Sequence, residues 1–157
     1  MFNWLKTQRL RRAIQESRRE ACEASPKRPS QPMMSAMKET SSALGLSLSG
    51  GPLRRLRGRI ILILARQLAD ANERLNSSYW TGPDGHNVGQ DVLQAYGVAL
   101  EVVRKAGSLP DLIESLTVQS AAYRGRAGDP DGYGSATLGE IERDLRNLAA
   151  QTASGGS

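Results

Sequence analysis

The sequence predicts an all-α protein, with a C-terminal four-helix-type bundle preceded by an extended, arginine-rich helical N-terminal arm. Apolar residues recur at every third or fourth position through most of the chain, which is the period of a helix. No segment alternates apolar and polar residues as a half-buried strand would, and only 4% of the residues are aromatic. A chain of 157 residues is long enough for one domain with an arm.

The arm is predicted to cover residues 1–51. A basic helix is expected over residues 1–24, with an aromatic and aliphatic tip formed by Phe2, Trp4 and Leu5. A proline-rich break follows at residues 25–32. A second helix is expected after it, and its weak apolar anchors are Met33, Met37, Leu44 and Leu48.

The helix predicted over residues 52–75 joins the arm to the bundle, which is expected to cover residues 52–157. Gly51 followed by Pro52 marks its start. Its apolar positions would form one stripe, made of Leu53, Leu56, Ile60, Leu64, Leu68, Ala71 and Leu75. Four arginines crowd the first two turns, where the helix dipole disfavours positive charge. A bound phosphate would neutralise them, since guanidinium groups bind phosphate oxygens well.

The rest of the bundle is predicted from caps and apolar faces. Tyr79 and Trp80 have two interpretations, namely stacking on bases, or closing the bundle or a subunit contact. A turn at residues 81–85 leads to a helix whose face includes Val88, Val92, Tyr96, Leu100 and Val103. Ser108 with Asp111 predicts the cap of the next helix, and Thr137 with Glu140 predicts a capping box for the last helix, after a glycine-rich loop at 124–134.

Charge is divided unequally along the chain. Residues 1–66 hold 14 Lys/Arg against 4 Asp/Glu, a net charge of +10, whereas residues 67–157 hold 7 against 12, a net charge of −5. No zinc finger, aromatic-lined sheet or compact helix-turn-helix is visible, so contacts with a nucleic acid would follow its backbone and not its sequence. The predicted nucleic-acid-binding residues are Arg9, Arg11, Arg12, Arg18, Arg19, Lys27, Arg28, Arg54, Arg55, Arg57, Arg59 and Arg66.

Catalytic and metal chemistry are not expected, and neither is a cofactor. Cys22 is the one cysteine and His86 the one histidine, so a disulfide, a zinc site or a catalytic triad cannot be assembled from these residue types. His86 is expected to be a solvated loop residue. Asp129, Asp131, Gly134 and Glu140 match part of a calcium loop, but Tyr133 stands at an oxygen-ligand position, so a plain turn is favoured. Neither a transmembrane helix nor a secretory signal is expected.

A series of small motifs over roughly residues 80–148 resembles the major capsid proteins of filamentous archaeal viruses, the rudivirus, lipothrixvirus and tristromavirus group. The motifs are a proline-containing loop before the last helix together with Thr81-Gly82-Pro83, Gln94, Tyr96-Gly97, Leu100, Arg104, Gly107, Pro110 and Tyr123. The resemblance implies a virion protein that pairs with itself or with a paralogous capsid protein in a helical filament, with or without a viral envelope. It also implies helical arms wrapped around double-stranded DNA held in A form.

A second interpretation comes from the tip of the arm. Phe2, Trp4 and Leu5 next to arginines are typical of segments that bind anionic lipid at a membrane surface. The alternative function is therefore a basic membrane-surface or assembly adaptor protein.

Overall fold

The computed structural model describes residues 31–124 and 131–154. Within these ranges the chain forms five α-helices, namely α1 (Gln31–Leu44), α2 (Arg57–Leu75), α3 (Val88–Lys105), α4 (Leu109–Tyr123) and α5 (Tyr133–Ser154). Two short 3-10 helices cover Pro52–Leu56 and Ser78–Trp80. The β pairing in these ranges is limited to one isolated antiparallel bridge between Thr81 and Asn87. The all-α prediction is confirmed.

Helix α2 lies at the centre of the packing. It contacts α1, α3 and α5, while α3 and α4 also pack against α5. Helices α2 and α5 run antiparallel, because residue numbers rise along α2 and fall along α5 in the three pairs that join them. These pairs are Arg59 with Gln151, Gln67 with Glu140, and Arg74 with Tyr133. The start of α2 therefore lies beside the end of α5, and the end of α2 lies beside the start of α5.

The apolar stripe predicted for α2 forms the middle of the core. Ile60, Leu64 and Leu68 are fully enclosed, and Leu53 and Ala71 are buried at its two ends. The start of the helix differs from the prediction, since Pro52–Leu56 is a 3-10 helix and the α-helix begins at Arg57. Tighter 3-10 turns are common where α-helices begin.

Helix α1 belongs to the same core. Met33, Met37, Leu44 and Leu48 are buried there, and the hydroxyl groups of Thr40 and Tyr96 share a buried 2.9 Å hydrogen bond between α1 and α3. The predicted arm thus ends in a helix that packs with the later ones, and the division placed at residue 51 does not coincide with a break in the core. Residues 1–30 of the arm lie outside the described residues.

The cap predicted for α4 is present, whereas the one predicted for α5 is wrong. The Ser108 hydroxyl accepts a hydrogen bond from the Asp111 amide at 3.3 Å, as expected. Helix α5 begins four residues before Thr137, whose hydroxyl donates to the Tyr133 carbonyl at 2.8 Å inside the helix. Glu140 instead accepts a 3.0 Å hydrogen bond from the buried Gln67 side chain. The capping-box pattern matched a mid-helix sequence because local spacing does not reveal where a helix starts.

Two glycines of α3 allow a stability test. A Cβ at Gly89 would lie 2.7 Å from both the Ala71 carbonyl oxygen and the Leu75 amide nitrogen of α2, so Gly89→Ala must push the two helices apart. A Cβ at Gly97 would meet no atom within 4 Å. We expect Gly89→Ala to lower the free energy of unfolding by about 1–3 kcal/mol. Gly97→Ala should raise it by about 0.5–1 kcal/mol through helix propensity. Urea unfolding of both variants checks this, and equal stabilisation by the two would contradict the close helix contact.

Candidate nucleic-acid interface

Arg59 and Arg66 lie on the outer side of α2. They are seven residues apart, which is almost two full turns, so they project from the same side about 10 Å apart along the axis. That side faces away from the enclosed Ile60 and Leu64. Arg66 is exposed, and the Arg59 guanidinium donates to the Gln151 side-chain oxygen near the end of α5. We call the surface formed by Arg59 and Arg66 the lateral face.

Three more predicted arginines cluster where the chain enters α2. Arg54 and Arg55 are exposed on the 3-10 helix that precedes it. The Arg57 guanidinium reaches the turn after α1, where its Nη2 lies 3.4 Å from the position that a Cβ on Gly45 would take. The structure thus brings Arg54, Arg55 and Arg57 together at one end of α2, and Arg59 and Arg66 continue along its side.

The other seven predicted residues lie outside the described residues, so their role stays a prediction. They are Arg9, Arg11, Arg12, Arg18, Arg19, Lys27 and Arg28.

Four arginines later in the chain pair with carboxylates on their own helices, whereas Arg124, exposed after α4, forms no ion pair within the described residues. Arg74 pairs with Asp70 at 3.0 Å, Arg146 with Glu142 at 2.8 Å, and the pairs Arg104–Glu101 and Arg143–Glu140 have the same three- or four-residue spacing. Arg57 and Arg66 form no ion pair within residues 31–124 and 131–154. The first turn of α2 also contains no acidic residue. The charges of Arg57 and Arg66 are therefore not balanced by a described carboxylate, whereas that of Arg74 near the end of the same helix is.

Tyr79 and Trp80 lie beyond the opposite end of α2. Tyr79 is 83% exposed, so the interpretation that it packs in the core is wrong. Trp80 is half-buried, with the Arg74 guanidinium 4.2 Å from its ring centre and the Tyr79 ring edge-on at 5.1 Å. The two aromatic residues are therefore separated from the arginines at the start of α2 by the length of the helix.

His86 lies in the loop before α3 with 38% of its side chain exposed, as the sequence predicted, but it also has a partner that was not predicted. Its Nε2 lies 2.9 Å from one carboxylate oxygen of Asp91 and 3.1 Å from the other. Asp91 is only 2% exposed in the first turn of α3. The hydrogen bond and then the charge of Asp91 raise the pKa of His86, and the charges of Asp84 and Asp131 add to the effect. The sequence signal that could have predicted this pair is the position of Asp91, five residues after His86 and in the first turn of the helix.

Asn87 fixes the loop that carries His86. Its side-chain oxygen accepts from the Gly89 amide at 2.7 Å and caps α3. Its side-chain nitrogen donates to the Arg74 carbonyl at 2.9 Å and to the Thr81 hydroxyl at 2.8 Å. The turn, the end of α2 and the start of α3 are consequently held as one unit.

A groove of about 550 Å³ separates α3 from α4. Gly97, Val98 and Val102 line its α3 side, and Ser115 and Gln119 line its α4 side. Glu101, Lys105 and Asp111 also line the groove, so its charges are mixed and it does not extend the cationic surface.

The described part of the chain contains no group of three or more His, Cys, Asp or Glu side chains placed to hold a metal ion. The partial calcium-loop pattern is split in the fold, since Glu140 is bonded to Gln67 and Asp131 lies exposed before α5. None of the helices in these ranges has both the length and the apolar character required to cross a bilayer.

Comparisons of the chain with protein-family models, with curated proteins and with solved structures give no match. Function is therefore inferred from the residues themselves.

The His86–Asp91 pair predicts a pH dependence of stability. Because folding raises the pKa of His86, the pair contributes fully below the unfolded-state pKa of about 6.5, and its contribution is lost as the pH rises through the higher folded-state pKa. We expect the thermal midpoint to fall more between about pH 6 and about pH 9 for the natural chain than for His86→Gln. His86 is the one histidine, so the variant isolates its titration. Parallel pH curves for the two proteins would refute the pairing.

Proposed function

We propose that this chain is the major capsid protein of a filamentous virus and that it packages double-stranded DNA through sequence-independent phosphate contacts. The observation that carries the proposal is the placement of arginine on and before α2. Five of the predicted arginines lie at the start of this helix and along its outer side, and two of them, Arg57 and Arg66, have no carboxylate partner among the described residues.

Arginine on a rigid helix suits a duplex backbone. Its planar guanidinium binds two phosphate oxygens and is weakly hydrated, so the cost of removing water is low. The lateral face spans about 10 Å, a length over which a B-form duplex presents on the order of six phosphates. A-form geometry also favours phosphate contacts, since its deep and narrow major groove keeps side chains from the base edges.

The N-terminal segment would add to this surface. Residues 1–30 hold 8 Lys/Arg and 3 Asp/Glu, and residues 31–66 hold 6 and 1, so each part carries a net charge of +5. The complete partner set in this proposal is double-stranded DNA and a second capsid subunit, either another copy or a paralogous protein. The location is the virion, with or without an envelope.

The alternative function, a basic adaptor on anionic lipid, uses the same charges. It depends on Phe2, Trp4 and Leu5, which lie outside the described residues. The contribution of a single lateral-face arginine to binding should differ between duplex DNA and a lipid surface, because only the duplex presents phosphates in a rigid row.

The test is a gel-shift titration of the full chain with a random-sequence DNA duplex over a salt series. We expect tight binding at low salt that weakens steeply as salt rises, because each phosphate contact releases counterions. Arg66→Gln should reduce the slope of log K against log salt by about 0.9, the value for one phosphate contact.

Arg143→Gln is the matched control, since Arg143 is also an exposed helical arginine but lies on α5, 3.8 Å from Glu140. It should leave the slope unchanged. Absence of duplex binding at low salt, or equal effects of the two variants, would contradict the proposal. Flotation with vesicles of anionic phospholipid separates the alternative, which predicts lipid binding that is lost in Trp4→Ala.

A further inference from the structure

The two most exposed large apolar side chains of the described residues lie at opposite ends of α2. Leu46 is 92% exposed in the connection between α1 and the first 3-10 helix, and Tyr79 is 83% exposed in the second 3-10 helix. Helix α2 has 19 residues and is thus about 28 Å long, so the two side chains are far apart. Each is surrounded by charge of a different sign.

The Tyr79 end is acidic and aromatic. Tyr79 packs edge-on against Trp80, Trp80 is covered by Arg74, and Arg74 is paired with Asp70, so these four side chains are contiguous. Exposed carboxylates on the adjoining last turn of α2 and on the loops before α3 and α5 complete this end, and they are Glu73, Asp84 and Asp131. The Arg74 guanidinium lies 5.7 Å from the Tyr133 ring centre, and the Asn87 side chain donates to the Arg74 carbonyl at 2.9 Å, which places both loops at this end of α2.

The Leu46 end is basic. Arg54 and Arg55 are exposed just before α2, and the Arg57 guanidinium lies beside Gly45. The sequence contains no Asp or Glu from residue 40 to residue 69, so every charged residue of this stretch is positive. An exposed leucine among arginines at one end therefore complements an exposed tyrosine among carboxylates at the other.

We propose that the Leu46 end of one copy of this chain docks on the Tyr79 end of the next copy. Leu46 would pack on the tyrosine and tryptophan rings, and Arg54 and Arg55 would meet the surrounding carboxylates. Opposite charges favour this head-to-tail pairing and disfavour contacts between two like ends. Because the two surfaces are different, such a contact is heterologous, and it continues from copy to copy as an open chain unless the rotation closes a ring.

This inference goes beyond the proposed function, because a head-to-tail contact requires neither a nucleic acid nor a viral origin. It also assigns different roles to the arginines. Arg54 and Arg55 contact the neighbouring copy, whereas the lateral face of Arg59 and Arg66 lies on the side of α2, outside the contact.

Disulfide trapping between two single-cysteine proteins tests the contact. Cys22, the one natural cysteine, is replaced by serine in the full chain, and Leu46→Cys and Tyr79→Cys are introduced in separate proteins. The two are mixed under mild oxidation, once in buffer alone and once with a DNA duplex. We expect a cross-linked dimer in the mixture and little in either protein alone, because like ends do not meet.

Val118→Cys is the matched control, since Val118 is a 60% exposed apolar residue on α4, away from both ends. Mixed with the Leu46→Cys protein, it should cross-link far less than the Tyr79→Cys protein does. The proposal is overturned if no mixed dimer forms in either condition, if single proteins cross-link as well as the mixture, or if Val118→Cys matches Tyr79→Cys. These outcomes are separate from the gel shift, since the buffer-only reaction contains no DNA.

Discussion

The burial of one side of α2 against three other helices is the constraint on which the rest of the structure depends. Leu64 and Leu68 are enclosed between α1, α3 and α5, and burying such a leucine contributes about 1.5–3 kcal/mol. Because Gly89 lets the α3 backbone approach Ala71 and Leu75 closely, the rotation of α2 about its axis is fixed. Arg59 and Arg66 then lie on its outer side, and Arg57 lies in its first turn.

That arrangement concentrates positive charge at the start and along the outer side of α2. In α3 and α5, arginines lie three or four residues from a glutamate and are partly neutralised by it. Arg57 and Arg66 have no such ion pair within residues 31–124 and 131–154. In the proposed assembly, the phosphates of a polyanion or the carboxylates of a neighbouring copy would balance this charge.

The sequence was sufficient for features governed by local rules and insufficient for those set by tertiary contacts. The stripe of α2 and the Ser108 cap follow from helical period and capping chemistry, and both are present. The start of α5 was missed because Gly134 argues against helix, yet a Cβ there would lie 2.1 Å from the Tyr123 ring, so close packing requires glycine inside the helix.

The candidate site shows the same limit. The cationic character of α2 is visible in the sequence, but its division into an end and a lateral face needs the orientation of the helix. The partner of His86 was missed because an acid in the first turn of a helix is already explained by the helix dipole. The exposure of Tyr79 excludes core packing and leaves base stacking and a subunit contact open, and the sequence alone could not distinguish these.

The proposed end contact and the proposed DNA contacts of the lateral face would reinforce one another. A single arginine–phosphate contact at the surface is weak and is lost as salt rises. If copies are joined head to tail, each added subunit brings its own Arg59 and Arg66 to the same duplex, so later contacts form at a high effective concentration. The overall affinity would then grow with the number of linked copies and not with the strength of any one contact. In the proposed filament, a surface without base-reading groups would hold a long duplex of any sequence, and the protein contact at the ends of α2 would set the spacing of the subunits.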